Sequence, residues 1–415
     1  MRSEYIYLVI FLLAVLHTFS TKAFEKIAHK SKNHSGLWNL LAEIEVVFGF
    51  WSAILLLLIY YFEGGIQALN YIDSRSFTEP LFIFAIMVVA GTKQILQFVT
   101  AIIKKVSKIL PLKEMQSIYF ITLFLVPLFG SLITEPGAMT LAALILRELF
   151  YSQKISKNLK YATLGVLFVN ISVGGVLTPF AAPPVLMVAG KWNWDLYFMM
   201  SNFGWRAILI VLVNSILVSF IYKSELNKIS EKKISEFSSY SNGSILVNLL
   251  FLFGIVYFSH HPVIFLSLLL FFIGITTAYQ LNQNKLLIRE GLLVAFFLAG
   301  LVVLGGKQQW WLQYILSILT VDQIYYCAIA LTSIADNAAI TYLASLVNGL
   351  TDEFKYAIVS GAITGGGLTV IANAPNPAGF SLLKNNFEDN SISAVGLFLS
   401  ALIPTFVAVV FFKFI

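Results

Sequence analysis

Two acids stand where acids are costly. Glu135, in LITEPGAMT, and Asp336, in TSIADNAAIT, each interrupt an otherwise apolar run. Ionisable side chains inside a membrane face the protein interior, and by default they mark ion or proton paths. The chemistry such a group offers is competition. Shielding from water favours the protonated carboxyl, whereas a bound cation favours the ionised one. A site that accepts either can exchange them. The simpler alternative is that each acid caps a short helix, because both stand where a helix would start. Two such tips in equivalent places weigh against capping alone.

Neutral partners lie beyond each acid. The stretch GGGLTVIANAPNP, Gly365 to Pro377, falls where a spanning helix is expected, yet its glycines and prolines cannot form one. A related stretch, GGVLTPFAAPP, runs from Gly174 to Pro184, so the shared GG-x-LT recurs at an offset of 191 residues. The acids themselves are 201 residues apart, which makes this a match of elements rather than of rigid register. Broken backbone at membrane depth is tolerated only where protein buries it or it lines a cavity. Thr134, Thr178, Thr369 and Asn373 offer side-chain oxygens, and freed carbonyls near Gly174, Gly175, Gly365, Gly366 and Gly367 add more. Hard cations prefer such oxygen sets. Sodium is therefore the metal expected there. Asn337 is either a ligand or a helix cap; Asn376, between prolines, reads as a turn former.

A second polar group comprises Glu43, Glu45 and Lys93. The two glutamates, two residues apart in LLAEIEVVFGFW, point to nearly opposite sides of a helix. Lys93 either pairs with one of them inside the scaffold or serves as a charge-compensating partner in the ion path. The histidines, among them His17, read as surface or interface residues. One cysteine, Cys327, rules out an intramolecular disulfide and a zinc cluster. No phosphate-binding glycine loop is present, so ATP as energy source and any other cofactor are not indicated.

The elements that hold these residues follow from hydropathy. Hydrophobic residues make up 58% of the chain and charged ones 12%, and mean hydropathy is +0.83. That composition implies an all-α polytopic membrane protein and gives no reason to invoke nucleic acid as partner. Spans are predicted near 5–21, 37–62, 79–103, 161–190, 204–222, 243–259, 262–281, 289–305, 355–384 and 393–414. The first is read as a retained helix rather than a signal peptide. Within 116–151 and 322–349 a polar tripeptide divides two pieces, each too short to span, which suggests re-entrant hairpins. Residues 306–320, with Trp310 and Trp311, read as an interfacial connector.

The order is three helices, a re-entrant hairpin, a broken helix and a closing helix, then the same again. Residues 1–222 form the first repeat, 223–244 a polar linker and 245–415 the second repeat. Most of the 27 lysines and arginines fall on one set of loops if the N-terminus is outside and the linker cytoplasmic. The second repeat is then inverted. Duplicated broken segments in inverted halves point to a transporter binding site.

LLAEIEVVFGFW, LITEPGAMTLAALIL, ADNAAITYL and GGGLTVIANAPNPAG together resemble the sodium/proton antiporters of the ion-transporter superfamily, which also holds arsenite permeases and sodium-coupled dicarboxylate carriers. The resemblance covers nearly the whole chain. It implies an inverted-repeat fold with scaffold and transport parts, often a homodimer, working by alternating access. The expected partners are a monovalent cation, a proton and the lipid bilayer, in a bacterial inner membrane or an equivalent plasma membrane. An ion-coupled carrier for arsenite or a dicarboxylate is the alternative, though acidic tips would repel an anion. A channel suits two broken helices less well. An intramembrane aspartyl protease lacks its Tyr-Asp and Gly-x-Gly-Asp pair, so no enzyme is expected.

Overall fold

The computed structural model describes residues 2–31, 34–230, 242–279 and 286–415. It is all-helical, with no strand among the described residues. Part of the predicted linker, including Glu231, Lys232, Lys233 and Glu236, lies outside them, as does Lys285.

The chain opens with α1 (Arg2–Lys30), α2 (Ser35–Ala42) and α3 (Ile44–Glu63). After α4 (Gly65–Asp73) come α5 (Thr78–Ala90) and α6 (Lys93–Ser107). Hairpin one is α7 (Glu114–Ile133) with α8 (Glu135–Leu146). Broken helix one is α9 (Lys157–Gly174) with α10 (Pro183–Trp192). The short α11 (Leu196–Met199) runs through a π turn into α12 (Trp205–Ile221), followed by α13 (Lys223–Leu226). The second half holds α14 (Asn242–Tyr257), α15 (Pro262–Ala278), α16 (Ile288–Gly305) and the connector α17 (Gln309–Ile318). Hairpin two is α18 (Val321–Ile334) with α19 (Asn337–Ser345). Broken helix two is α20 (Asp352–Gly365) with α21 (Asn376–Leu383), and α22 (Ala394–Val409) closes the chain.

Three elements differ from the hydropathy reading. The span expected at 37–62 parts at Glu43, whose extended backbone (ψ 118°) interrupts the helical ladder. The span expected at 79–103 bends by 65° between α5 and α6. There Thr92 is extended, and its hydroxyl donates to the Val89 carbonyl at 2.9 Å. The first arm of hairpin one, expected to be short, runs for 20 residues and is long and apolar enough to cross a membrane. Among the described residues seven helices meet that standard, or eight if the bent pair counts as one span.

Burial runs opposite to that of a soluble protein at the edges and alike at the centre. Large apolar side chains such as Leu57 and Phe271 are exposed, as a hydrocarbon solvent permits, while most of α8 and α9 is buried. The centre is where the halves interlock. α8 packs on α21 and α10 on α19, while α7 lies along α9 and α18 along α20.

Those contacts repeat in detail. A Cβ on Gly174 would lie 2.5 Å from the Pro127 carbonyl, and one on Gly365 2.6 Å from the Ile329 carbonyl. Thr178 Oγ1 donates to the Ser131 carbonyl at 2.8 Å, and Thr369 Oγ1 to the Ser333 carbonyl at 2.8 Å. Broken helices therefore correspond as 174 to 365, hairpin first arms as 127 to 329. Ser172, whose match on this register is Ile363, donates its hydroxyl to that residue's own carbonyl at 2.8 Å.

Loop contacts sort into two sets. Lys157 pairs with Glu388 at 2.7 Å, Gln153 bonds the Ser230 backbone, and Arg289 pairs with Glu43. Elsewhere Lys307 lies 3.6 Å from Glu63, Gln313 meets Asn348, and Lys413 pairs with Asp322. The first set joins only segments that the charge bias assigned to one side, the second only segments assigned to the other.

Candidate functional site

Thr134 separates the arms of hairpin one, at φ 68° and ψ 151°, a backbone region that belongs to glycine. That turn delivers Glu135 as the first residue of α8, wholly buried. Its Oε2 accepts from Asn373 Nδ2 at 2.8 Å, and its Oε1 has no protein partner. Asn373 stands in the break of broken helix two, so the bond joins the two halves. Gly175 closes the other side, where a Cβ would lie 2.5 Å from Oε1. Only glycine leaves room.

On the register set by the surrounding contacts, the counterpart of Glu135 is Asn337, and Asp336 matches Thr134. Asn337 opens α19 just as Glu135 opens α8, and it too is fully buried. Neither its Oδ1 nor its Nδ2 has a hydrogen-bond partner. Gly366, the counterpart of Gly175, stands against it, since a Cβ there would lie 3.0 Å from Nδ2 and 2.1 Å from Ser172 Oγ. Asp336 has a different situation. Its Oδ1 accepts from the Ala338 backbone at 2.8 Å, capping α19, and the side chain lines a cavity of about 460 Å³ together with Glu45 and Asn373.

The remaining predicted oxygens are mostly engaged. The hydroxyl protons of Thr178 and Thr369 are spent on hairpin carbonyls, which leaves only lone pairs for a cation. The Gly174 carbonyl accepts from Ser131 Oγ at 2.7 Å, and Gly366 O from Asn376 Nδ2 at 2.8 Å. Asn376 also donates to Thr369 O at 2.8 Å, so it closes the break rather than merely turning it. A second cavity, of about 570 Å³, reaches broken helix one at Pro179 and Phe180 and carries Glu79 and His260. Those two break residues correspond to Val370 and Ile371, which line the first cavity. Each break thus has its own cavity.

Residues 3–415 match the family described as "Putative Na+/H+ antiporter". The chain belongs to this family. It is an integral, multi-pass membrane protein among cation/proton antiporters. No curated protein matches it.

In this antiporter the second polar group is arranged otherwise than expected. Glu43 pairs with Arg289, in the first turn of α16, not with Lys93. Lys93 begins α6 just after the bend, half-buried, and among the described residues it forms no ion pair. Glu45, unlike Glu43, lines the cavity shared with Asp336. His17 is buried rather than on the surface. It accepts from Trp51 Nε1 at 3.0 Å, and its Nε2 lies 3.0 Å from the Leu41 carbonyl.

Sequence reasoning passed over Ser131, Ser172 and Asn170. Asn170 Nδ2 donates to Leu123 O at 2.9 Å, and Asn214 donates to Asn170 Oδ1 at 2.9 Å, tying α9 to α7 and α12. The signal was available: these are polar residues inside apolar runs, Asn170 and Ser172 within about a turn of the first break and Ser131 a turn ahead of Glu135. Among the described residues no three His, Cys, Asp or Glu side chains cluster as a metal site.

Proposed function

We propose that the chain exchanges sodium for protons by alternating access, with Glu135 as the group that takes one or the other. The observation that carries this is a fully buried carboxyl with one free oxygen and, among the described residues, no cationic side chain bonded to it. An ionised carboxylate in that setting needs a cation beside it; otherwise it needs a proton on it. Both satisfy the same oxygen, so they compete. Asn373 Oδ1, which is unpartnered, supplies a second hard oxygen, and Asn337 Oδ1 a third from the corresponding tip. The close glycines at 175 and 366 keep the space small, which suits sodium. Asp336 serves as the outer acid, at the wall of a cavity.

Alternating access is supported by the inverted order of elements, by contacts that repeat between the halves, and by a separate cavity at each break. The same features support kinship with arsenite permeases and sodium-coupled dicarboxylate carriers. Sidedness follows the charge bias, with the N-terminus outside and the linker cytoplasmic. The cargo is ionic and no covalent bond is made or broken.

The test is sodium-driven proton movement in proteoliposomes. Glu135→Gln keeps the shape and removes the exchangeable charge, so sodium-dependent release of an imposed pH gradient should vanish while the protein remains monodisperse. Wild-type exchange in that variant would end the proposal.

A further inference from the structure

We propose that the cavity between α1, α17 and hairpin two binds a hydrophobic organic amine that reaches it from the bilayer. Its walls are apolar, with Phe11, Phe48, Phe297 and Trp311 among them, and its volume of about 460 Å³ suits a small aromatic molecule. Leu12, Phe19 and Ile334 line it and are also half-exposed on the hydrocarbon-facing surface, so the opening is lateral. Hydrated sodium gains nothing from such walls.

Its donors are spent within the protein, Thr18 Oγ1 on Val15 O, Trp311 Nε1 on Gln308 Oε1 and Asn373 Nδ2 on Glu135, which leaves acceptor oxygens for a ligand. Glu45 and Asp336 contribute two carboxyls, and among the described residues that line the cavity none is lysine, arginine or histidine. Glu43, the acid nearest in sequence to Glu45, is neutralised by Arg289, whereas Glu45 has no such bond among the described residues. Asn373 is the independent observation. It is almost wholly buried, it lines the cavity, and its Oδ1 lacks a partner because Nδ2 is held by Glu135. An ammonium head has three N–H donors and no acceptor, the complement of three oxygens with no donor to offer. Charge-assisted bonds to such a head outweigh those a neutral alcohol can make. Binding follows from the cavity alone. That a bound amine also blocks exchange rests on Glu135 being the exchange group, which Asn373 links to the cavity.

The experiment is equilibrium binding of tritiated diphenylpropylamine to the full-length protein in detergent, with the neutral diphenylpropanol as competitor. Saturable binding is expected, with the alcohol weaker by about tenfold or more. Glu45→Gln and Asp336→Asn should each weaken the amine by about tenfold and leave the alcohol unchanged. Asp336→Asn also alters a helix cap, so Glu45→Gln is decisive if the other variant is not monodisperse. Equal affinity for amine and alcohol would mean a slot for neutral chains and would overturn the proposal. So would wild-type amine affinity in Glu45→Gln, or no saturable binding at all. Glu135→Gln separates the two readings: sodium exchange surviving in it ends the proposed function and leaves the amine site standing, whereas sodium exchange lost in it alongside absent amine binding in the wild type ends only the amine site.

Discussion

Glu135 shows how much one residue depends on the atoms allowed near it. Its free oxygen faces Gly175 so closely that a methyl group would fall at 2.5 Å, inside contact distance. Gly175→Ala must therefore push the carboxyl or the backbone, and overpacking of this kind costs about 1–3 kcal/mol. If that strain falls on the occupied site, sodium-driven exchange should drop by about tenfold or more. The variant should still elute as wild type, since the clash is with one side chain rather than with the helix packing. Initial rates in proteoliposomes check this; an unchanged rate would mean that the carboxyl has room the structure does not give it. The same crowding explains why Asn337 outranks Asp336 as the partner tip. Asn337 is sealed with both amide atoms unpartnered, whereas Asp336 caps a helix and lines a cavity.

At the scale of elements, two hydroxyls do equivalent work. Thr178 and Thr369 each donate across from a broken helix to the first arm of its hairpin. Freed backbone at membrane depth is stable only when such partners exist. Thr178→Val and Thr369→Val should each lower stability by about 1 kcal/mol, the net worth of one hydrogen bond. Thr→Ser at either position should restore it. Thermal melts in detergent decide: a Val variant as stable as its Ser counterpart would show that the methyl, not the hydroxyl, matters. The bend between α5 and α6 acts at this scale too. It divides a stretch that hydropathy reads as one span and places Lys93 at the start of its second piece, while Arg289 neutralises Glu43.

For the whole molecule, the two sets of loop contacts make a claim about sides. With Cys327→Ser as background, His260→Cys and Lys228→Cys place single thiols at exposed positions. A membrane-impermeant maleimide added outside should label the first and miss the second; in everted vesicles the pattern should reverse. Labelling of both from one side would contradict the inverted arrangement. Stoichiometry belongs here as well. If Glu135 alone carries the exchange, one sodium replaces one proton and no net charge crosses. A clamped membrane potential should then leave the exchange rate unchanged, whereas a rate that rises with potential would require a second titrating group, with Asp336 first in line.

What the sequence determined by itself was class and parts. Burial in lipid leaves a plain hydropathy record, and glycines and prolines clustered in an apolar run mark a helix broken at membrane depth. The acidic tips and the two breaks were therefore legible from Glu135, Asp336, GGVLTP and GGGLTV, whereas the length of the first arm of hairpin one was not. Register was not. The acids stand 201 residues apart and invite pairing with each other, but hairpin arms correspond at 127 to 329, which aligns Glu135 with Asn337. That shift of one residue exchanges a capping position for a sealed one, and a helix start looks alike in sequence at either. Partner choice was also beyond the chain's linear order, because the Asn373–Glu135 bond and the Arg289–Glu43 pair join residues more than two hundred positions apart. Only packing of the folded halves brings such groups within reach.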